Sequence, residues 1–237
     1  MDEKLLTDLV RYWVIIPAAG IGARMQADRP KQYLMLKNKP LLTQVVDLFS
    51  AQIFIEKVVV VLNAKDHWWP ELSLSHPQKV LTAIGGKERV HSVLLGLAFL
   101  KDFASEDDWV LVHDAARPCL RTDDILNLMQ AIKDHPVGGL LGLPVVDTLK
   151  RVNENDDVVA TVSRQQLWQA QTPQCFRYGI LKKAIENALT QNQVVTDESS
   201  AIELLGLKPK IVLGHARNIK ITFPEDLALA EKLINPF

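Results

Sequence analysis

The sequence predicts an α/β fold, with a mostly parallel sheet covered by helices on both faces. Three observations predict it. Short β-branched runs recur along the chain, longer stretches with apolar residues at helical spacing lie between them, and the runs are apolar throughout instead of alternating. A continuous apolar run bounded by polar turns reads as a strand buried on both faces, and strand–helix alternation places such strands parallel in one sheet.

The first run, residues 14–16, is followed by a glycine-containing loop. An apolar helical face follows in Leu41, Leu42, Val45, Val46, Leu48 and Phe49. Residues 58–62 and 79–84 are the next strands, and Val90, Val93, Leu94, Leu97 and Leu100 form a second helical face. Residues 109–112 make another strand. After it Thr122 is placed to cap a helix that carries Asp123 and Asp124 in its first turn and turns Ile125, Leu128, Met129 and Ile132 inward. The pattern changes after Pro144. Residues 145–176 are polar, rich in Val, Thr, Gln and Arg, and carry a turn-like Asn153-Glu154-Asn155-Asp156-Asp157, so they read as a hairpin leaving the main body. Helical periodicity returns over 179–191 and 197–205. Residues 210–213 form a last strand, and Thr222 with Glu225 forms a capping box for a closing helix over 225–234. The chain has no internal repeat and no Pro/Ser/Gly-rich linker, so residues 1–237 read as one α/β domain with the 145–176 hairpin as an arm.

Composition narrows the function. The 237 residues carry 27 Lys+Arg against 28 Asp+Glu, a net charge of −1, and are 48% hydrophobic. That balance lacks the basic excess of an electrostatic nucleic-acid binder, so any anion site must be local. Two cysteines, Cys119 and Cys175, exclude a disulfide framework and a thiolate zinc cluster. The amino terminus has no signal-peptide core, and no apolar run is long enough to span a membrane. The expectation is a cytoplasmic globular protein.

Three strand-to-helix loops carry residues suited to chemistry. In the first, Pro17-Ala18-Ala19-Gly20-Ile21-Gly22-Ala23-Arg24-Met25, small residues let backbone N–H groups approach a phosphate or a base. Met25 stands where a dinucleotide fingerprint needs its third glycine, and no Gly-Lys-Ser/Thr of a phosphate-binding loop is present. Arg24 and Lys31 lie just beyond. Around a phosphorus centre they would neutralise charge developing on its oxygens, although a basic loop segment is also what a solvated surface looks like. The second loop, His113-Asp114-Ala115-Ala116-Arg117-Pro118, follows an apolar strand, where open sheets bind ligands. Asp114 there can hold Mg²⁺ directly or through water, accept from sugar hydroxyls, or cap a turn, and Arg117 could meet a phosphate. In the third, Gly85-Gly86 permits close backbone contact and Ser92 could bond a base edge. Thr148, Arg164, Thr172, Thr196, Asp197 and Lys220 are later polar candidates, and Thr196-Asp197 equally suits a helix cap.

Taken in order, these segments resemble the 2-C-methyl-D-erythritol 4-phosphate cytidylyltransferase family. The run from Pro17 to Met25 with Pro30-Lys31-Gln32-Tyr33 is similar to the family's nucleotide loop, Gly85-Gly86-x-x-Arg89-x-x-Ser92-Val93 to its base-contacting turn, and residues 112–118 to its second nucleotide motif. Asp147-Thr148-Leu149-Lys150, Thr161-Val162-Ser163-Arg164, Thr172-Pro173-Gln174, Thr196-Asp197-Glu198 and Asn218-Ile219-Lys220 follow in the family's order. The resemblance implies a Rossmann-like, glycosyltransferase-A-like nucleotidyltransferase fold, a three-layer α/β/α sandwich with a protruding β-hairpin arm. It implies Mg²⁺-dependent transfer of CMP from CTP to 2-C-methyl-D-erythritol 4-phosphate, in the non-mevalonate route to isoprenoids. It implies that Arg24 and Lys31 stabilise the pentacoordinate phosphorus, and that Ala18, Ala19, Gly20, Gly86, Ser92, Asp114 and Ala115 hold the nucleotide. Thr148, Arg164, Thr172, Thr196 and Lys220, with Arg117, would place the acceptor. It further implies a homodimer in which the arm sends Thr148 and Arg164 to the partner's site. The chain departs from the family at Lys87, where an acidic residue commonly follows the Gly-Gly pair. The competing expectation is a cytidylyltransferase for ribitol 5-phosphate or another sugar phosphate.

Overall fold

The computed structural model describes residues 10–20 and 29–234. Its elements in chain order are β1 (Tyr12–Pro17), β2 (Met35–Leu36), β3 (Lys39–Pro40), α1 (Leu41–Ser50), β4 (Ile55–Leu62), β5 (Val80–Ile84), α2 (Arg89–Phe99), β6 (Trp109–Val112), α3 (Thr122–Ile132), β7 (Gly138–Pro144), β8 (Leu149–Val152), β9 (Val158–Val162), β10 (Trp168–Arg177), α4 (Tyr178–Thr190), α5 (Glu198–Leu204), β11 (Lys210–Leu213) and α6 (Pro224–Leu233).

Seven strands form one sheet in the order β11-β7-β10-β6-β1-β4-β5. β1 pairs in parallel with β4 and β6, β4 with β5, and β7 with β11; β10 runs antiparallel to both β6 and β7. Side-chain alternation divides the core between the two faces. Val14 and Ile16 of β1 pack with Val45, Val46 and Phe49 of α1 and with Ile125 and Leu128 of α3. Trp13 and Ile15 point the other way, into Val93 and Leu97 of α2, Leu181 and Ile185 of α4 and Ile202 of α5. Nearly all of these side chains are fully enclosed, and each large apolar one contributes roughly 1.5–3 kcal/mol by leaving water. The expected three-layer arrangement is therefore present.

Several local readings are corrected. β5 is the edge strand of the sheet, so Thr82 and Ile84 are exposed instead of buried on both faces. β7 has no counterpart in the sequence reading, because its start is Gly138-Gly139 and glycine weakens a strand pattern. The glycines are needed there: a Cβ on Gly138, whose φ is +125°, would lie 2.2 Å from the Cys175 carbonyl oxygen, and one on Gly139 the same distance from that of Lys210. The cap of α3 is Arg121, with the Asp124 carboxylate accepting from its N–H, and Thr122 is the first helical residue. At α6 it is Asp226, not Glu225, whose carboxylate accepts from the N–H groups of Thr222 and Phe223.

The arm is shorter than 145–176. β8 and β9 form its two-stranded hairpin, closed by Asn153 Oδ1, which accepts from the N–H groups of Asn155 and Asp157. From Trp168 the chain is already in β10, and residues 171–176 are buried between β6 and β7. A run of polar residues looked like hairpin because Gln171, Thr172 and Gln174 are polar yet buried. The arm leaves Val146, Val158 and Val159 exposed.

This topology gathers the loops. The strands β1, β4, β5, β6, β7 and β11 run in one direction, so the segments that follow β1, β5, β6 and β11 emerge at one edge of the sheet. β10 runs the other way and brings its buried residues 171–174 to that same edge, with Gln174 opposite Val112.

Candidate active site

The site begins with the backbone of residues 18–20. Gln32, buried beneath it, donates from Nε2 to the carbonyls of Ala18 (2.7 Å) and Gly20 (3.0 Å), and Ala18 N–H donates to Val61 O. Across from it, Gly85 lies so close that a Cβ would sit 2.6 Å from Ala19 Cβ and 2.8 Å from Ser92 Oγ. Ser92 Oγ accepts from Gly86 N–H and donates to the Glu88 carbonyl, both at 3.2 Å, which pins the turn to the first turn of α2. Between these two walls is a cavity of about 300 Å³, lined by residues 17–20, Lys31, Gln32, residues 86–89, Ser92, residues 114–116 and Lys220. Six of the seven expected nucleotide contacts, Ala18, Ala19, Gly20, Gly86, Ser92 and Ala115, share this cavity with the seventh, Asp114. Lys31 also lines it, and its Nζ donates to the Ile221 carbonyl at 2.9 Å. Arg24 lies outside the described residues.

A second cavity, of about 220 Å³, adjoins the first. Arg117, Thr172, Thr196 and Lys220 line it, with Gln171, Gln174 and Asp197. Arg89, Asp114 and Lys220 belong to both cavities. Asp114 is the centre of this shared wall. Its Oδ1 accepts from Arg89 Nε at 3.0 Å, its Oδ2 is 2.8 Å from Lys220 Nζ, and Arg117 Nε is 3.7 Å away. Burial opposes charge on this carboxyl, but Arg89, Lys220 and Arg117 outweigh it and hold the pKa well below the usual carboxylate range.

Beneath Asp114 a hydrogen-bond relay fixes the strand end. Asp114 N–H donates to Thr172 Oγ1 at 3.1 Å, and Thr172 Oγ1 is 3.1 Å from His113 Nδ1. His113 Nε2 is 3.1 Å from the Arg117 carbonyl, which can only accept, so Nε2 carries the proton and Nδ1 accepts from the threonine hydroxyl. Full burial pushes the His113 pKa down to about 4, so the ring is a neutral hydrogen-bonding linker. The Lys220 loop is tied to the same place. Ile221 N–H donates to the Ala116 carbonyl, Arg117 Nη1 to the Asn218 carbonyl, and Asn218 Nδ2 to the Thr172 carbonyl.

Two expected acceptor residues are elsewhere. Thr148 and Arg164 are exposed on the arm and line neither cavity; the Arg164 guanidinium contacts the Val146 carbonyl. Asp197 caps α5, its Oδ1 accepting from Ser200 N–H at 2.9 Å. Cys119 and Cys175 are buried free thiols. Gln32, Arg89, Gln171, Glu198 and Asn218 were not assigned roles from sequence. Gln32, Arg89, Glu198 and Asn218 stand inside the recognised motifs, so their position was the available signal. Nothing local marks Gln171.

A family model described as 2-C-methyl-D-erythritol 4-phosphate cytidylyltransferase matches residues 12–235. The chain belongs to that family. A cytidylyltransferase of that name from Hahella chejuensis is 49% identical over 93% of this chain and 92% of its own length, and one from Aliivibrio fischeri is 46% identical over 95% and 94%. Among solved structures, a 4-diphosphocytidyl-2C-methyl-D-erythritol synthase superposes with a TM-score of 0.84 at 35% identity, covering 96% of this chain and all of that one. The Francisella tularensis 2-C-methyl-D-erythritol 4-phosphate cytidylyltransferase gives 0.82 at 39%, over 94% and 99%. The protein is thus a cytidylyltransferase with the α/β nucleotidyltransferase fold. Among the described residues no cluster of three or more His, Cys, Asp or Glu side chains is placed to cage a metal, and no helix is long and apolar enough to cross a membrane.

Proposed function

We propose that the two adjoining cavities are the donor and acceptor halves of one reaction, transfer of CMP from CTP to 2-C-methyl-D-erythritol 4-phosphate, a step of the non-mevalonate route to isoprenoids. The observation that carries this reading is the shared wall of Arg89, Asp114 and Lys220 between a backbone-lined cavity and a cationic one. An acceptor phosphate in the second cavity faces a triphosphate in the first across that wall. Its oxygen attacks the α-phosphorus, the bond to the β-phosphate oxygen breaks, and pyrophosphate leaves with the bonding pair. The acceptor phosphate already carries the attacking electron pair, so no protein nucleophile is required, and the residues contribute alignment and charge stabilisation.

In this reading Ala18, Ala19, Gly20, Gly86, Ser92 and Ala115 bind the nucleotide through close backbone and hydroxyl contacts. Arg24 and Lys31 stabilise the charge that gathers on the α-phosphoryl oxygens. Lys220 and Arg117 hold the acceptor phosphate, Thr172 and Thr196 border its sugar-alcohol chain, and Asp114 keeps the cations in place. Because the carboxylate oxygens of Asp114 already face three cations, a magnesium ion would be carried by the triphosphate and held to Asp114 only through water, where it would supply neutralisation of phosphate charge.

The chain works as one domain in a cytoplasmic homodimer joined through the arm, residues 145–167 as the structure bounds it. Exposed Val146, Val158 and Val159 support that use of the arm. Thr148 and Arg164, remote from both cavities of their own chain, then complete the acceptor site of the partner. Mixing tests this. Lys31→Ala and Arg164→Ala homodimers should both be nearly inactive. Co-expressed, they should recover activity, because one site of the mixed dimer has both residues intact. Equal inactivity of the mixture would place Arg164 in its own chain's site.

The reaction itself is tested by pyrophosphate release from CTP, Mg²⁺ and a panel of acceptors and nucleotides. 2-C-methyl-D-erythritol 4-phosphate is expected to be the efficient acceptor, and ribitol 5-phosphate, UTP, ATP and GTP poor replacements. Turnover of ribitol 5-phosphate with none of the methylerythritol phosphate would overturn the reading. The UTP arm also reports whether Lys87, exposed at the rim of the nucleotide cavity, has relaxed base choice.

A further inference from the structure

Glu198 lines neither cavity, yet its carboxylate is connected to both. It is 2% exposed at the start of α5 and receives the Arg89 guanidinium at two points, Nη1 to Oε1 at 2.6 Å and Nη2 to Oε2 at 3.1 Å. The opposite edge of the same guanidinium, Nε, donates to Asp114 Oδ1 at 3.0 Å. Asp114 Oδ2 is 2.8 Å from Lys220 Nζ, and the next residue, Ile221, offers its carbonyl to Lys31 Nζ. A continuous series of polar contacts therefore runs from α5 through the start of α2 and the end of β6 to the Lys220 loop. Only a planar, multi-donor guanidinium can serve two carboxylates on two edges at once; an ammonium offers no such fixed fork.

The placement of α5 adds a second link. The segment just before it carries Thr196 in the acceptor cavity, and Gln174 of β10 anchors it, donating to Asp197 Oδ2 and accepting from Ser199 N–H, both at 2.8 Å. Docking of residues 196–199 and orientation of Asp114 are thus coupled through one ion pair. Charge balance has the same sense. Glu198 offsets Arg89, leaving Arg117 and Lys220 as the cations of the second cavity available to an acceptor phosphate.

We propose that Glu198 and Arg89 are positioning residues for the acceptor: the Glu198 carboxylate fixes the plane of the Arg89 guanidinium, which orients Asp114 and through it Lys220. The proposal rests on the reading of the second cavity as the acceptor half. Misplacement of a reacting group by about 1 Å costs on the order of a hundredfold in rate, so a residue that touches neither substrate can control turnover.

Glu198→Gln keeps shape and removes the charge that holds the fork. It is expected to lower kcat/KM for the acceptor by about 10- to 100-fold. CTP affinity, measured by calorimetry with CTP and Mg²⁺, should stay within about threefold of wild type, since uniform nucleotide binding is untouched. A companion variant, Arg89→Met with Glu198→Leu, guards against simple loss of folding, because replacing a buried ion pair with apolar side chains is often neutral or stabilising. Its thermal midpoint should return to near wild type while acceptor use stays low. Acceptor kcat/KM unchanged in Glu198→Gln, an equal loss of CTP affinity, or activity that returns with stability in the double variant would each overturn the proposal. Failure of the underlying reading looks different: Arg117→Ala, in the second cavity alone, would leave acceptor kcat/KM unchanged.

Discussion

Replacing Lys31 with alanine is expected to cut kcat by on the order of a hundredfold to a thousandfold, the usual loss when one preorganised donor to a developing charge is removed. Titration of the variant with CTP and Mg²⁺ should show affinity close to wild type. The reason lies in when the charge is needed. In the proposed reaction the phosphate charges of the bound triphosphate are already shared among several donors, whereas in the transition state negative charge would gather around an α-phosphorus placed beside Lys31. The ammonium is held for this role from two sides. Its stem is half-buried against the cavity, and its Nζ donates to the Ile221 carbonyl at 2.9 Å, so it is placed before substrate arrives. Lys31→Arg should recover little, because a longer planar fork does not fit a contact built for a compact ammonium. A Lys31→Ala enzyme that loses CTP affinity in proportion to kcat would show that Lys31 acts in ground-state binding instead.

Asp114→Asn should be both inactive and markedly less stable. The carboxylate side chain is about nine-tenths buried and faces Arg89, Lys220 and Arg117. Its loss leaves cations without their counter-charge, and breaking a buried pair in this way costs roughly 3–5 kcal/mol; partial exposure of Lys220 moves the expectation toward the lower end. Thermal melts at pH 7 read this directly. The pH dependence has a definite sign. The folded-state pKa of Asp114 is depressed below its unfolded value, so its contribution to stability is complete above that unfolded value, about 3.9 for an aspartate. The contribution fades as the pH falls below it toward the folded value. The stability gap between wild type and Asp114→Asn should therefore be constant from neutral pH down to about 4 and should narrow only in stronger acid. A gap that closes between pH 8 and 6 would mean that another group holds the cluster together.

Much of this architecture was legible in the chain. β1, β4 and β6 were marked by apolar runs because buried parallel strands carry no polar face, and α1 and α2 by apolar residues on one side. The elements that were misread share a cause. β7 opens on glycines that neighbouring carbonyls require, and β10 carries buried glutamines and a threonine whose partners come from other strands and loops. Polarity normally signals exposure, and it fails where a tertiary partner satisfies the group. β5 was misjudged for the opposite reason, since an apolar run does not say whether a neighbouring strand lies on both sides. The caps of α3 and α6 differ by a residue or so because several acids and hydroxyls cluster there, and backbone geometry chooses among them.

The site divides in the same way. Sequence by itself determined the loops that bear the chemistry: small residues at 18–20, glycines at 85 and 86, and Asp114 after β6 are local features, since close backbone approach and a strand-end carboxylate need only neighbouring residues. Tertiary structure decided what those loops become together. Arg89, Asp114, Glu198 and Lys220 are far apart in the chain, and the bond from Arg89 to Glu198 spans 109 residues. Which cation a carboxylate pairs with, and therefore whether Asp114 is a helix cap, a metal ligand or the hub of a cationic wall, depends on where strand order and helix packing bring the partners. The direction of each strand settled that, by delivering the loops after β1, β5, β6 and β11 and the buried residues of β10 to one edge of the sheet.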